Sequence, residues 1–364
     1  MSQPSYQYPH MEIDLGKLKE NLAALQERCQ ASSIEISGVV KGFHALPAAA
    51  KVYEEVGVSS IASSRMDQLR GLKEAGIQTP LMLIRIPMPS EVEDVVTWSD
   101  ISLNSECSVL RLLDEAARNK GRTHKVILMV DLGDLREGFW DWDGLVAAAL
   151  EVEHDLPNLE LLGVGTNLGC YGSIQATPEK MHDLVAAAER VEKAIGRKLE
   201  VISGGASSSL HMVLDGTMPP RINHLRVGEG ILLGSIWGCN MDFMHKDIMV
   251  LRAQVIESKV KPSHPVGELS VDAFGQTRTY VDRGHRLRCL LAMGRVDYGE
   301  SDDLIPREPG IKVLGASSDH TILDVEGATR RLKTGDVLEF DLCYATMVYL
   351  TGSKSVHIYY KNET

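Results

Sequence analysis

Ile36-Ser37-Gly38-Val39-Val40-Lys41, followed at once by Gly42-Phe43-His44 and then Pro47, is the stretch from which the fold is read. The apolar run has the length of a buried strand, and it ends on a lysine. Desolvation at such a position lowers the amine pKa, which suits Lys41 to a Schiff base or to proton transfer. The alternative is a lysine that snorkels out to water at a strand end.

Outward from this stretch the pattern repeats. Short apolar segments at 36–41, 60–63, 81–84, 101–103, 126–131, 161–166, 200–203 and 223–227 alternate with helix-like ones at 46–56, 65–75, 105–120, 142–154 and 178–195. Gly57, Gly76 and Gly121 stand near helix ends. Eight such units predict a closed (β/α)8 barrel of the TIM-like α/β class, with an open doubly wound sheet as the alternative. After Ser235 the texture changes to strand-like segments at 250–261, 286–293, 312–314, 320–325 and 337–342 separated by turns. The expected organisation is a barrel over 15–240 and a mainly β domain formed by 1–14 with 241–364. The early segment Met11-Glu12-Ile13-Asp14 is expected to pair with that second domain.

Composition narrows the partners. The 364 residues carry a formal net charge of −12 and are 44% hydrophobic, with Lys and Arg interspersed among Asp and Glu. No basic cluster offers a nucleic-acid surface, so a small-molecule ligand is expected. No apolar stretch approaches the roughly 20 residues of a membrane span, and the polar start lacks a signal-peptide core. A cytoplasmic protein is expected. Cys29, Cys107, Cys170, Cys239, Cys289 and Cys343 are scattered, which predicts neither a metal site nor a disulfide framework but reduced, mostly buried side chains.

In a barrel, active residues gather at the carboxyl ends of the strands. Lys41 ends the first, 131–136 follows the fifth, Thr166-Asn167 ends the sixth, 203–209 follows the seventh and Arg226-Val227-Gly228-Glu229-Gly230 the eighth. The Ser203-Gly204-Gly205-Ala206-Ser207-Ser208-Ser209 loop has the small residues, hydroxyls and N–H groups that suit a phosphate, or it is a plain Gly/Ser turn. Arg226 and Arg136 read either as surface ion-pair partners or as donors to a ring nitrogen, phosphate or carboxylate. A strand-end lysine, a phosphate cradle and a strand-eight arginine together describe a site for pyridoxal 5'-phosphate.

On those residues, and on Met129-Val130-Asp131-Leu132-Gly133-Asp134-Leu135-Arg136-Glu137-Gly138, Gly163-Val164-Gly165-Thr166-Asn167-Leu168, Asn223-His224-Leu225-Arg226-Val227-Gly228-Glu229 and Gly315-Ala316-Ser317-Ser318-Asp319-His320, the chain resembles the fold-type III pyridoxal-phosphate enzymes of the alanine racemase superfamily. It is most similar to the alanine/ornithine racemase branch, over nearly its whole length. The resemblance implies that Lys41 bonds the cofactor, that Ser207 with the backbone of Gly228 and Glu229 holds its phosphate, that Tyr344 also contacts the phosphate and that Arg226 faces the pyridine nitrogen. Asn167 stands in place of a ring-stacking histidine, and Arg136 lies near the cofactor as a candidate for binding the substrate carboxylate.

The same resemblance exposes departures. Met293-Gly294-Arg295-Val296-Asp297-Tyr298-Gly299 corresponds to the motif of the opposing catalytic tyrosine, with Arg295 where tyrosine belongs and Tyr298 out of register. The expected substrate therefore shifts from alanine to a basic amino acid such as ornithine or lysine. Asp319 is expected to recognise the side-chain amine and His320 to serve as the second catalytic base, the alternative for His320 being a structural role. The expected assembly is a homodimer in which each second domain completes its partner's site. The competing functions are a decarboxylase of a basic amino acid and a non-catalytic carrier of the cofactor.

Overall fold

Eight parallel strands, Glu35–Val39, Ser60–Ser63, Leu81–Leu83, Ile101–Asn104, His124–Met129, Leu159–Gly165, Val201–Ser203 and His224–Val227, follow one another around a closed ring in the computed structural model. Ser37 of the first strand lies opposite Arg226 of the eighth, which excludes the open sheet. The structure describes residues 6–236, 239–272, 274–275, 277 and 279–362. It divides into two compact units, 17–246 and 1–16 with 247–364.

The barrel strands are short and apolar because both of their faces are covered. One set of alternate residues, Val39, Ala62, Met82, Ile101, Leu103, Ile127, Met129 and Leu162, forms a single buried cluster. Residues of the other parity, such as Val126 and Leu128, are equally buried; by strand alternation they face the surrounding helices. Those helices include Pro47–Val56, Met66–Glu74, Val92–Trp98, Cys107–Lys120, Trp142–Asp155 and Pro178–Ile195. Their starts carry local signals: Asp141 accepts the N–H groups of Asp143 and Gly144 at 3.1 and 3.0 Å, and Thr177 caps a helix whose first turn begins with Pro178. Each such cap satisfies donors that the first turn leaves unpaired.

The second unit is built on the strand Met249–Pro262. It pairs antiparallel with Val337–Asp341 and with His285–Leu291, and the sheet continues through Thr321–Asp324 to Lys312–Ala316. The early strand His10–Asp14 pairs antiparallel with Met249–Pro262 and parallel with His357–Lys361. Glu12 fastens this junction, since it pairs with Lys361 and, at 2.7 Å, with Arg252. Burial disfavours the Glu12 carboxylate, yet the two cations outweigh it and hold its pKa below the usual value. The unit also contains a helix, Tyr344–Gly352, that its strand-like sequence texture does not predict. Among the described residues no helix is long and apolar enough to cross a membrane.

Candidate active site

Lys41 opens the short helical turn Lys41–Phe43 just past the first barrel strand. The side chain is half-buried and, among the described residues, has no hydrogen-bond or ion-pair partner. Burial pushes its ammonium pKa below the ordinary value. Cys170 and Glu137 oppose the shift electrostatically, while Arg136 and Arg226 reinforce it. These five groups therefore form one electrostatic neighbourhood at the carboxyl ends of the strands.

Arg226 is inward-facing and buried. Its guanidinium donates to the Ser203 hydroxyl and, at 2.6 Å, to the Thr166 carbonyl. No carboxylate lies within ion-pair distance among the described residues, and burial brings its pKa down to about 10. Arg226 is thus a charged group at neutral pH with donors to spare. Space for it is kept by Gly165, where a Cβ would sit 3.0 Å from the Ser203 Cβ and 3.5 Å from Arg226 Nη1.

Beside this arginine, the N–H groups of Gly228 and Gly230 converge on Ser207 Oγ at 3.3 and 3.1 Å. A hydroxyl backed by two converging N–H donors is the chemistry of an anion cradle. Glu229 contributes its backbone to this turn, and burial raises the pKa of its carboxyl group.

Two loops form the rest of the site. Gly138, at φ +131°, returns the loop after the fifth strand to that strand; a Cβ there would meet the Asp131 nitrogen at 2.4 Å. Within the loop Arg136 is forked onto Glu137, one arm at 2.5 Å. Burial works against its charge, but Glu137 more than compensates and raises its pKa. Asn167, with its amide oxygen turned to the donors, accepts from Arg136 at 3.1 Å. A substrate carboxylate at Arg136 must therefore compete with Glu137.

Asp134 joins the two loops. Its buried carboxylate accepts the N–H groups of Gly169, Cys170, Tyr171 and Ile174, at 3.0 to 3.4 Å. Asp134 carries no recognisable signal in the sequence, although it lies within 129–138; its four donors lie 35 to 40 residues downstream, and no local pattern announces them. Cys170, also unassigned, is exposed on the loop that Asp134 holds. The expectation of mostly buried cysteines needs correction: of the five described, Cys29 and Cys289 are buried, and Cys107 and Cys343 are intermediate. The side chain of Cys239 lies outside the described residues.

Asp319, His320 and Tyr344 belong to the second unit. Asp319 and His320 are exposed on the turn between Lys312–Ala316 and Thr321–Asp324. The turn is fixed by the Ser317 N–H to the His320 carbonyl at 2.9 Å and the His320 N–H to Ser317 Oγ at 3.2 Å. Tyr344 starts the helix Tyr344–Gly352 and is half-buried. Tyr298, out of register in the sequence, is fully buried with its hydroxyl on Thr321 Oγ1 at 2.7 Å, and Thr321 donates onward to the Met293 carbonyl. That makes Tyr298 a packing residue. Arg295 pairs with Glu300 and lies 4.0 Å above the Phe274 ring.

Comparison with known proteins adds to this geometry. Residues 13–235 match the family described as alanine racemase, N-terminal domain. An ornithine racemase of Acetoanaerobium sticklandii is 39% identical over 96% of this chain and 98% of its own length. A lysine racemase of Thermotoga maritima is 37% identical over 97% of this chain and 99% of its own. In fold, the crystal structure of an alanine racemase from Streptomyces lavendulae superposes with a TM-score of 0.74, covering 98% of both chains at 20% identity. The family match spans most of the chain and the racemase relatives span nearly all of it, so the protein belongs to the alanine racemase family.

Proposed function

We propose that this protein is a pyridoxal-phosphate-dependent racemase that interconverts the L and D forms of a basic amino acid such as ornithine or lysine. The observation that carries this reading is the pairing of a half-buried Lys41, its ammonium disfavoured by burial, with Arg226, a buried cation that has no carboxylate partner among the described residues. The full-length similarity to an ornithine racemase and a lysine racemase supports the choice of substrate.

The residues fit the cofactor. An amine of lowered pKa matches its aldehyde, an arginine with spare donors matches its ring nitrogen, and the cradle of Ser207, Gly228 and Gly230 matches its phosphate. Lys41 holds the cofactor, Arg226 donates to its ring nitrogen, and Ser207 with the backbone of Gly228, Glu229 and Gly230 binds its phosphate, assisted by Tyr344. Asn167 borders the ring and is itself held by Arg136. When bound, the cofactor withdraws electrons from the substrate α-carbon and acidifies its hydrogen.

Lys41 Nζ then takes that proton on one face; its lowered pKa keeps more of the amine in the neutral, basic form at neutral pH. Arg226 stays protonated and cannot pass a proton to the ring nitrogen, which restrains side reactions that need a protonated ring. Inversion requires an acid on the other face. We assign that role to His320 and recognition of the substrate's side-chain ammonium to Asp319, both supplied by the second copy of a homodimer. Arg136 is the candidate for the substrate carboxylate.

The test is direct. Incubated with L-ornithine, L-lysine and L-alanine, the purified protein should yield D-ornithine or D-lysine faster than D-alanine, with solvent deuterium entering the α-position and no carbon dioxide released. Carbon dioxide without the D-enantiomer would replace this reading with a decarboxylase. Wild-type racemisation by His320→Gln would remove His320 from the mechanism.

A further inference from the structure

Behind Arg226 the barrel interior holds a line of polar side chains. Ser203 Oγ accepts from Arg226 and lies 2.7 Å from His224 Nδ1; His224 Nε2 lies 2.7 Å from Ser37 Oγ, and Ser37 Oγ lies 2.5 Å from Ser60 Oγ. All five residues are buried. They come from the eighth, seventh, first and second strands, which are neighbours in the closed ring. At the far end Ser60 and His224 line a cleft of about 350 Å³ at the amino-terminal mouth of the barrel, with Glu35, Glu200 and Asn223.

The hydrogens in this line can be placed by elimination. A guanidinium donates and cannot accept, so Ser203 Oγ is an acceptor toward Arg226. The Ser203 hydroxyl hydrogen then has one acceptor among its hydrogen-bonded neighbours, His224 Nδ1. His224 must carry its proton on Nε2 and donate to Ser37, and Ser37 must donate to Ser60. The opposite tautomer, or an imidazolium, would leave a buried Ser203 hydrogen unpaired, and the imidazolium would also set a second cation behind Arg226. Burial and Arg226 both hold the His224 pKa down, to about 3, which agrees with a neutral ring.

We propose that His224 is a positioning residue for Arg226, acting through Ser203 at the head of a hydrogen-bonded relay of fixed direction that runs from the cofactor site to the floor of the barrel. The inference rests on the reading of Arg226 as the residue facing the cofactor's ring nitrogen. Buried charges are normally paired; here the Ser203 hydroxyl and the Thr166 carbonyl fix the guanidinium in place of a carboxylate, and the Ser203 lone pair is offered to Arg226 because His224 takes its hydrogen. Each bond polarises the next, so loss of the imidazole weakens the acceptor that Arg226 sees.

The experiment has two readouts. In cofactor-free protein labelled with ¹⁵N-histidine, the resonance that His224→Gln removes should show an unprotonated Nδ1 and a protonated Nε2, unchanged between about pH 6 and pH 8. With pyridoxal phosphate bound, His224→Leu should shift the visible absorption band and lower kcat by about tenfold, the scale of one hydrogen bond. His224→Gln should restore both, because its amide oxygen can accept from Ser203 while its NH2 group donates to Ser37. Should His224→Leu fold poorly, Ser203→Ala cuts the same link with the imidazole in place and should give the same spectral shift.

A protonated Nδ1, an imidazolium in this range, or a wild-type spectrum and kcat in both His224→Leu and Ser203→Ala would overturn the relay. A wild-type protein that binds no pyridoxal phosphate would instead sink the functional reading; the tautomer, read without cofactor, would still decide the direction of the line.

Discussion

The carboxylate of Asp134, on the loop after the fifth barrel strand, accepts the backbone N–H of Tyr171, on the loop after the sixth, at 3.0 Å. Three further N–H groups converge on the same carboxylate, and the Asp134 carbonyl accepts from Gly172 at 3.1 Å. One residue thus gathers the segment that bears Asn167 at its base and Cys170 at its tip. Burial alone would raise the Asp134 pKa, but the four backbone donors outweigh it and hold the value below its ordinary 3.8. A carboxyl whose folded pKa is depressed contributes stability above its unfolded value and loses it as pH falls through the folded one. Asp134→Asn, whose amide NH2 would face N–H groups, should therefore cost about 1–3 kcal/mol at neutral pH and lower activity. The difference from wild type should shrink on acidification below about pH 4. Melting temperatures measured from neutral to acid pH check this; a constant difference across the range would refute it.

Lys41 stands in the opposite relation to stability. Its folded pKa is lowered from 10.5 by burial. Between the folded and unfolded pKa values the unfolded chain binds more protons, so the cofactor-free protein gains stability as pH rises through that window. At neutral pH burial of an amine that is charged in the unfolded chain is a cost. Lys41→Met should raise the melting temperature of cofactor-free protein, by about 1 kcal/mol of stability, while abolishing racemisation. Calorimetry of the two cofactor-free proteins decides it, and a destabilised Lys41→Met would show that the lysine is a structural residue after all.

How far the chain can be read without coordinates depends on the range of the interaction. The strand Ser60–Ser63 and the helix Pro178–Ile195 have the bounds expected from sequence, because an apolar run or an apolar stripe is a local signal. The helix Tyr344–Gly352 escaped notice because Ala345, Met347, Val348 and Leu350 leave no polar face to mark a 3.6-residue period. Lys41, Ser207 and Arg226 were legible as residues at strand ends. His224 was not: its partners lie 187 residues upstream and 21 upstream, at Ser37 and Ser203, and only the closed register brings them together. Asp134 was hidden because its donors lie on the following loop, 35 to 40 residues downstream.

Gly165 gives a separate test of the arginine. Its Cβ position is 3.3 Å from the Ser203 carbonyl as well as close to Ser203 Cβ and Arg226 Nη1. Backbone on one side and a packed guanidinium on the other leave little room to yield. Gly165→Ala should therefore cost about 1–3 kcal/mol of stability. It should also weaken binding of pyridoxal phosphate, measured by titration of its absorbance, more than Gly71→Ala, where a Cβ meets nothing within 4 Å. Equal cofactor affinity in the two variants would mean that Arg226 can move without consequence.

Cys170 offers a chemical probe of the same neighbourhood. It is exposed, whereas Cys29 and Cys289 are buried and their thiol pKa values are raised by burial, that of Cys29 to about 12. Thiolate is the reactive form, so a mild alkylating agent should modify Cys170 well ahead of those two. Cys170 acts electrostatically on Lys41, Arg136 and Arg226, so an added carboxamidomethyl group is expected to intrude on the site. Iodoacetamide should therefore inactivate the wild type, bound pyridoxal phosphate should slow that loss, and Cys170→Ser should keep most of the activity while resisting the reagent. Peptide mapping identifies the modified thiol. Inactivation of Cys170→Ser at the wild-type rate would place the sensitive residue elsewhere and remove Cys170 from the wall of the site.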